Sequence, residues 1–482
     1  MPCTKCLPRL ILPALIILLA VAGCFPGPAP LSTADSNSSP PGAPGSSTPV
    51  AGPLLPPSSP TPAGPYIAVD PPRSFNDSPV RVRLSGLTPG QTVTLRANLA
   101  DTYGSYASFV AGDDGSVDLA QLAPVAGSYS QLNPMGLFWN AQVFPGVDAL
   151  SAPILLDSYP VTLTLEGGGE TLARTTITRV FMDEGVTRRK VNEDGLVGVY
   201  FRPAGPGPFP ALILTGGTDL DPHYSTAAAL ASRGYAVLTL FYYGRPGLPD
   251  ELNLVPLEYF EKAIAWLQAQ DGVAGDRLGV MGWSAGGQLA LLLGATFPQF
   301  RAVVAYVPAA VVSEGTLNGG FSGQSRYTFR GQPLTYVRGS ALVNWDNALR
   351  AARQSDADPQ SALAATLAGI DASSYNDAAI PVENTQGPVL LISSVDDDAW
   401  PSALLAEMAM RRLRAQGHPF PDQHLMYEGS GHFIGTPYGP ARPDASLGVE
   451  TYLASGPTLD GSDRASADSW PRVLQFLAGS LK

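Results

Sequence analysis

Gly282-Trp283-Ser284-Ala285-Gly286 lies between a short apolar run, residues 278–281, and a helix-forming stretch, residues 288–295. A Gly-x-Ser-x-Gly pattern at a strand-to-helix junction forces the serine onto a sharp turn, with its hydroxyl exposed at the end of a sheet. The flanking glycines are needed because so strained a backbone tolerates no bulky Cβ nearby. The helix that follows aims its unpaired N–H groups at whatever the serine attacks. This is the geometry of a serine nucleophile set between a strand and a helix. In a chain with 51 glycines the five residues carry little by themselves, so the surrounding sequence has to support them.

It does so through chain order. From about residue 186 onward, apolar runs at 196–201, 211–215, 236–240 and 302–307 read as strands. Between them Leu257, Phe260, Ile264 and Leu267 recur at helical spacing behind Pro256. Such alternation means a mostly parallel sheet with helices on both faces. Two further strands follow, at 388–393 and 424–427; the first runs into Asp396-Asp397-Asp398 and the second into Gly429-Ser430-Gly431-His432. Serine, then acid, then histidine, each after a later strand, is the order of an α/β-hydrolase triad. Of the four histidines, His432 alone follows the last strand in a glycine-rich loop. Ser284, an aspartate of the triplet and His432 are therefore the candidate nucleophile, acid and base.

An oxyanion needs two preorganised donors. One is the backbone N–H of Ala285, and the other belongs to Gly216-Gly217-Thr218, after the strand at 211–215, where Gly217 is favoured over Thr218. This chemistry requires no cofactor and no metal. The aspartate triplet lacks the spaced oxygen ligands of a calcium loop. The sequence has no Cys-His cluster of metal-ligand spacing, Walker loop or dinucleotide fingerprint. His223 reads as a surface-loop histidine, His418 as part of a helix terminus, and Trp283 and Trp400 as packing beside the triad.

The chain has 482 residues, room for two domains plus appendages, and its net charge of −12 argues against nucleic acid and a basic membrane-binding face. Lys5 and Arg9 precede an apolar core at residues 10–20 that is short for a membrane span. It ends in Val21-Ala22-Gly23-Cys24, which resembles a bacterial lipobox and implies cleavage before Cys24 and acylation of its sulfur. Two or three acyl chains give stable anchoring. The expected location is a bacterial cell envelope, on the exported side of a membrane. Cys3, Cys6 and Cys24 are the only cysteines, so the folded part offers no thiol nucleophile and no disulfide.

Residues 25–65, dominated by Pro, Ser, Ala, Gly and Thr, read as a disordered tether with a coil reach on the order of 35 Å. Residues 66–183 carry short alternating strands. The segments at 80–84 and 92–97 flank a Thr88-Pro89-Gly90-Gln91 turn, and those at 161–165 and 175–180 flank a glycine turn, which suggests an immunoglobulin-like β-sandwich. Residues 184–482 form the α/β-hydrolase domain, with an irregular insertion at about 313–385 that reads as a cap shaping the substrate pocket, a plain surface excursion being the alternative.

The flanking residues make the resemblance more specific. In the sandwich it rests on Leu84-Ser85-Gly86-Leu87-Thr88-Pro89-Gly90-Gln91-Thr92-Val93-Thr94 and Pro134-Met135-Gly136-Leu137-Phe138-Trp139. In the second domain it rests on Pro256-Leu257-Glu258-Tyr259-Phe260, Ile380-Pro381-Val382-Glu383, Trp400-Pro401-Ser402 after the aspartates, and Gly431-His432-Phe433-Ile434. With these the chain resembles the acyl-CoA thioester hydrolase and bile-acid-CoA:amino acid N-acyltransferase family. The resemblance implies that serine at the nucleophile position makes a hydrolase, where the acyltransferase has cysteine. It aligns the family's acid with Asp397, leaving Asp396 and Asp398 as alternatives. It also implies an acyl thioester or ester substrate, which sits uneasily with an exported chain. A surface carboxylesterase, a peptidase and a non-catalytic envelope lipoprotein are the competing readings.

Overall fold

The computed structural model describes residues 64–145, 157–354, 358–439 and 459–482, all within one compact unit. The leader, Cys24 and nearly all of the tether lie outside the described residues.

The C-terminal half is built on one eight-stranded sheet. Its strands are β1 (Thr187–Glu193), β2 (Leu196–Arg202), β3 (Phe209–Thr215), β4 (Ala236–Phe241), β5 (Val273–Trp283), β6 (Phe300–Tyr306), β7 (Val389–Ser394) and β8 (Gln423–Tyr427). The spatial order is β1-β2-β4-β3-β5-β6-β7-β8. The β1–β2 and β2–β4 pairs are antiparallel and the others parallel. This is the α/β-hydrolase sheet that the sequence led us to expect.

Helices α1 (Tyr224–Ala231), α2 (Glu258–Gln268), α3 (Ala285–Thr296), α4 (Gly339–Arg353), α5 (Pro359–Gly369), α6 (Ser402–Ala415) and α7 (Leu459–Leu481) complete this half. Ile213, Val280 and Leu391 point to a core shared with α2, α3 and α6, whereas Leu212, Leu214 and Ile392 point to one shared with α1 and α7. Both faces are covered, which explains why β7 is buried at every position and reads as an unbroken apolar run. The insertion contains a β-hairpin (Glu314–Leu317 with Gly320–Ser325), the packed helices α4 and α5, and short 3₁₀ turns.

The N-terminal half is a two-sheet β structure around Leu84, Leu95, Phe109, Phe138 and Leu163. Burial alternates along strands such as Arg81–Ser85, Thr92–Leu99 and Tyr103–Val110, because one face of each sheet is inside. The Thr88–Gln91 turn does not close a hairpin. Arg81–Ser85 lies in the three-stranded sheet and Thr92–Leu99 in the seven-stranded one, so the turn carries the chain across the core. By contrast, Ser158–Gly167 and Glu170–Val180 do form an antiparallel hairpin, with Gly168 and Gly169 at positive φ between them.

Candidate active site

Each candidate catalytic residue follows the carboxyl end of a parallel strand, where open α/β sheets bind their ligands. Ser284 leaves β5 with φ 56° and ψ −121°, a left-handed backbone that only the surrounding structure can hold in a non-glycine residue. The elbow closes because its neighbours lack side chains. A Cβ on Gly282 would strike the Gly286 carbonyl, and one on Gly286 would strike the carbonyls of Thr215 and Gly216. The helix that follows, α3, starts at Ala285, so its first N–H groups have no partner within the helix.

His432 Nε2 lies 2.9 Å from Ser284 Oγ, and its Nδ1 lies 2.9 Å from both carboxylate oxygens of Asp397. With Nδ1–H donating to Asp397, Nε2 accepts from the serine hydroxyl. Asp397 is 3 % exposed, and its Oδ1 also accepts from the backbone N–H groups of Ala399 (2.9 Å) and Trp400 (3.2 Å). Asp396 and Asp398 turn instead to Arg353 and Arg350 of the insertion. Burial alone would lower the His432 pKa, but the adjacent Asp397 charge and hydrogen bond outweigh it. Asp219 adds to this, and the net shift is upward. The ring is edge-on to Trp400, whose Nε1 donates to the Val307 carbonyl at 2.9 Å.

Residues 255–482 match the family model described as BAAT / Acyl-CoA thioester hydrolase C terminal, and residues 77–193 match the Acyl-CoA thioester hydrolase/BAAT N-terminal region. The peroxisomal succinyl-coenzyme A thioesterase of Mus musculus is 32 % identical over 421 residues, which is 85 % of this chain and 95 % of that protein. Acyl-coenzyme A thioesterase 1 of Homo sapiens is 32 % identical over 413 residues, 83 % of this chain and 93 % of that protein. The chain belongs to the acyl-CoA thioester hydrolase/BAAT family.

In this family member the loop after β3 lies against the nucleophile. A Cβ on Gly217 would lie 3.0 Å from Ser284 Cβ and 3.3 Å from Asp219 Oδ1. Tyr242 and Tyr243 donate their hydroxyls to the carbonyls of Gly216 (2.7 Å) and Gly217 (3.1 Å), which fixes these two peptides beside the serine. The loop ends at His223, and here the sequence misled. His223 is not a surface histidine. Its ring stacks on Trp283 at 3.8 Å between centroids, Trp283 stacks in turn on Tyr306, and His223 Nε2 is buried with no hydrogen-bond partner. Adjacency to the glycine loop was the only signal available for it. His418 is structural, bonded to Asp422 and the Thr385 carbonyl.

The histidine loop is held from the far end of the chain. Gly431 N–H donates to Ser462 Oγ and Gly435 N–H to Ser466 Oγ, each at 3.0 Å, and both serines belong to α7. Nothing in the sequence marked these residues as part of the site. Among the described residues no group of three or more His, Cys, Asp and Glu side chains is arranged to hold a metal.

Proposed function

We propose that this chain is a serine hydrolase that cleaves acyl thioesters of the acyl-CoA class. The observation that carries this reading is the unbroken hydrogen-bonded line from Asp397 through His432 to Ser284. His432 Nε2 takes the hydroxyl proton as Ser284 Oγ attacks the acyl carbonyl, and Asp397 holds the tautomer and stabilises the imidazolium. The oxyanion is received by the N–H groups of Ala285 and of Gly217; losing one such donor typically costs about 3–4 kcal/mol in the transition state. Collapse expels the thiolate, which leaves with the proton from His432. Water then attacks the acyl-enzyme with His432 again as base. A serine nucleophile favours release to water over transfer to an amine.

The leader supports a place for this activity. Val21-Ala22-Gly23-Cys24 favours acylation of Cys24 and a tethered enzyme on the exported side of a bacterial membrane. The same four residues favour a second substrate reading, a surface carboxylesterase, because coenzyme A esters belong to the interior of a bacterial cell rather than to its exported side.

The test is hydrolysis by the full chain in detergent of acyl-CoAs and p-nitrophenyl esters of matched chain length, with Ser284→Ala as the blank. Turnover of acyl-CoA that vanishes in Ser284→Ala supports the thioesterase. Turnover of simple esters alone selects the esterase. Activity that survives Ser284→Ala overturns both.

A further inference from the structure

The insertion meets the catalytic centre from the acid side. Arg350 and Arg353 lie in the last turn of α4, where cations are favourably placed. Arg353 Nη1 donates to Asp396 Oδ1 at 2.6 Å and to the Val395 carbonyl at 3.0 Å. Arg350 donates to Asp398 Oδ1 at 2.9 Å, to the Asp397 carbonyl at 3.2 Å and to Asp346 Oδ2 at 2.8 Å. The backbone on both sides of the Asp397 side chain is therefore held by guanidinium groups from the insertion. The other oxygen of Asp396 reaches further: Oδ2 accepts the backbone N–H of Gly429 at 2.6 Å. Gly429 has φ +70° and opens the turn that leads to His432.

One carboxylate thus bridges the insertion and the histidine loop. We propose that Arg353 and Asp396 are positioning residues, a brace by which the insertion sets the distance between Asp397 and His432. This rests on the reading of His432 as the general base. An isolated exposed ion pair contributes little to stability. This one is bonded to the backbone of both loops whose side chains must meet, and a displacement on the order of 1 Å in such a constellation costs roughly 10²-fold in rate.

The charges around His432 make the idea separable from a general electrostatic effect. Asp397 and Asp219 are the charged groups that shift it, and neither Arg353 nor Asp396 is among them. Its other neighbours are the Ser284 hydroxyl and the rings of Trp400 and Phe433. Around the brace stand Asp346, Arg350 and Asp398. Arg353→Gln removes a positive charge and Asp396→Ala a negative one. A field effect would move the His432 titration in opposite directions in the two variants. Loss of the Asp397 contact moves it downward in both.

The experiment measures kcat and KM against pH for the full chain and for Arg353→Gln, Arg353→Lys, Asp396→Ala and Ser284→Ala, with thermal unfolding of each. The expected result is a 10- to 100-fold lower kcat in Arg353→Gln and Asp396→Ala, with KM within about twofold. The acid limb moves down in both, and Arg353→Lys recovers part of the rate. The brace is overturned if kcat stays within about twofold of the parent, if the limbs move in opposite directions, or if only the melting temperature falls. Should Ser284→Ala retain turnover, the underlying reading of the site fails instead.

Discussion

Trp470 Nε1 donates a 2.7 Å hydrogen bond to Asp77 Oδ2, joining the last helix of the C-terminal half to the start of the β sandwich. The other oxygen of Asp77 accepts from Arg233 at 2.8 Å, and the carboxylate side chain is 1 % exposed. A buried carboxylate with two donors from the other half couples the stability of the sandwich to that of the C-terminal half. Asp77→Ala leaves the Trp470 N–H and the Arg233 guanidinium without it. We expect a loss of about 3 kcal/mol, near the low end for breaking a buried pair because Arg233 keeps some contact with solvent. Urea unfolding checks this; an unchanged midpoint and slope would show that the two halves are merely adjacent.

The raised pKa of His432 has a kinetic consequence. With His432 in the proposed role of base, the active form is the neutral imidazole, so kcat/KM should rise with pH through a value above about 6.5, the unperturbed figure. Asp397→Asn should cut kcat by roughly 10⁴-fold. Asp219→Asn keeps the side-chain oxygen that accepts the Asp221 N–H and removes the charge, so the acid limb should move down by less than in Asp397→Asn. A pH–rate profile whose limb ignores both substitutions would mean that another group is the base.

Much of this was legible in the sequence, for a physical reason. Strands β3, β6 and β7 and the second half of β5, residues 278–283, are buried on both faces and therefore stand out as apolar runs, each leading to one loop of the site or to its flank. The elements that were missed are the ones held by their surroundings. Strand β1 has only Val191 buried among seven residues, a charged edge strand of the kind that resists edge-to-edge pairing. Helix α7 begins in a polar stretch and contains Pro471; Ala465, Trp470, Val473 and Leu477 fix it by packing rather than by helix propensity. Neither the ring stack on His223 nor the arginines on the acid loop leave any trace in local pattern.

Asp463, on α7, is 4 % exposed and receives a 3.3 Å hydrogen bond from Asn133 of the sandwich. Burial, reinforced by Asp460, pushes its pKa up to about 9. Unfolded, the group ionises near 3.9, so its contribution is favourable only at low pH, and stability is lost progressively as pH rises from there toward 9. Asp463→Asn removes that dependence. The variant should melt higher than the parent at pH 8, by more than it does at pH 5. Equal gains at the two pH values would place the ionisation elsewhere.

Tyr242 and Tyr243 hydrogen-bond the candidate oxyanion loop through its carbonyls. Replacing both by phenylalanine removes two hydrogen bonds worth about 1 kcal/mol each. If Gly217 N–H serves the oxyanion, kcat should fall about tenfold with little change in KM. Steady-state kinetics decide it, and a change confined to KM would assign the tyrosines to substrate binding.

Helix α7 supplies Ser462 and Ser466 to the histidine loop and Trp470 to the sandwich. One helix therefore serves two masters: the turn that seats Ser462 and Ser466 against the histidine loop is followed, along the same rigid element, by the indole bonded to Asp77. Loosening the sandwich at Asp77 thus frees the element on which the histidine loop rests, so a lesion in one half is felt in the other without any contact to the nucleophile.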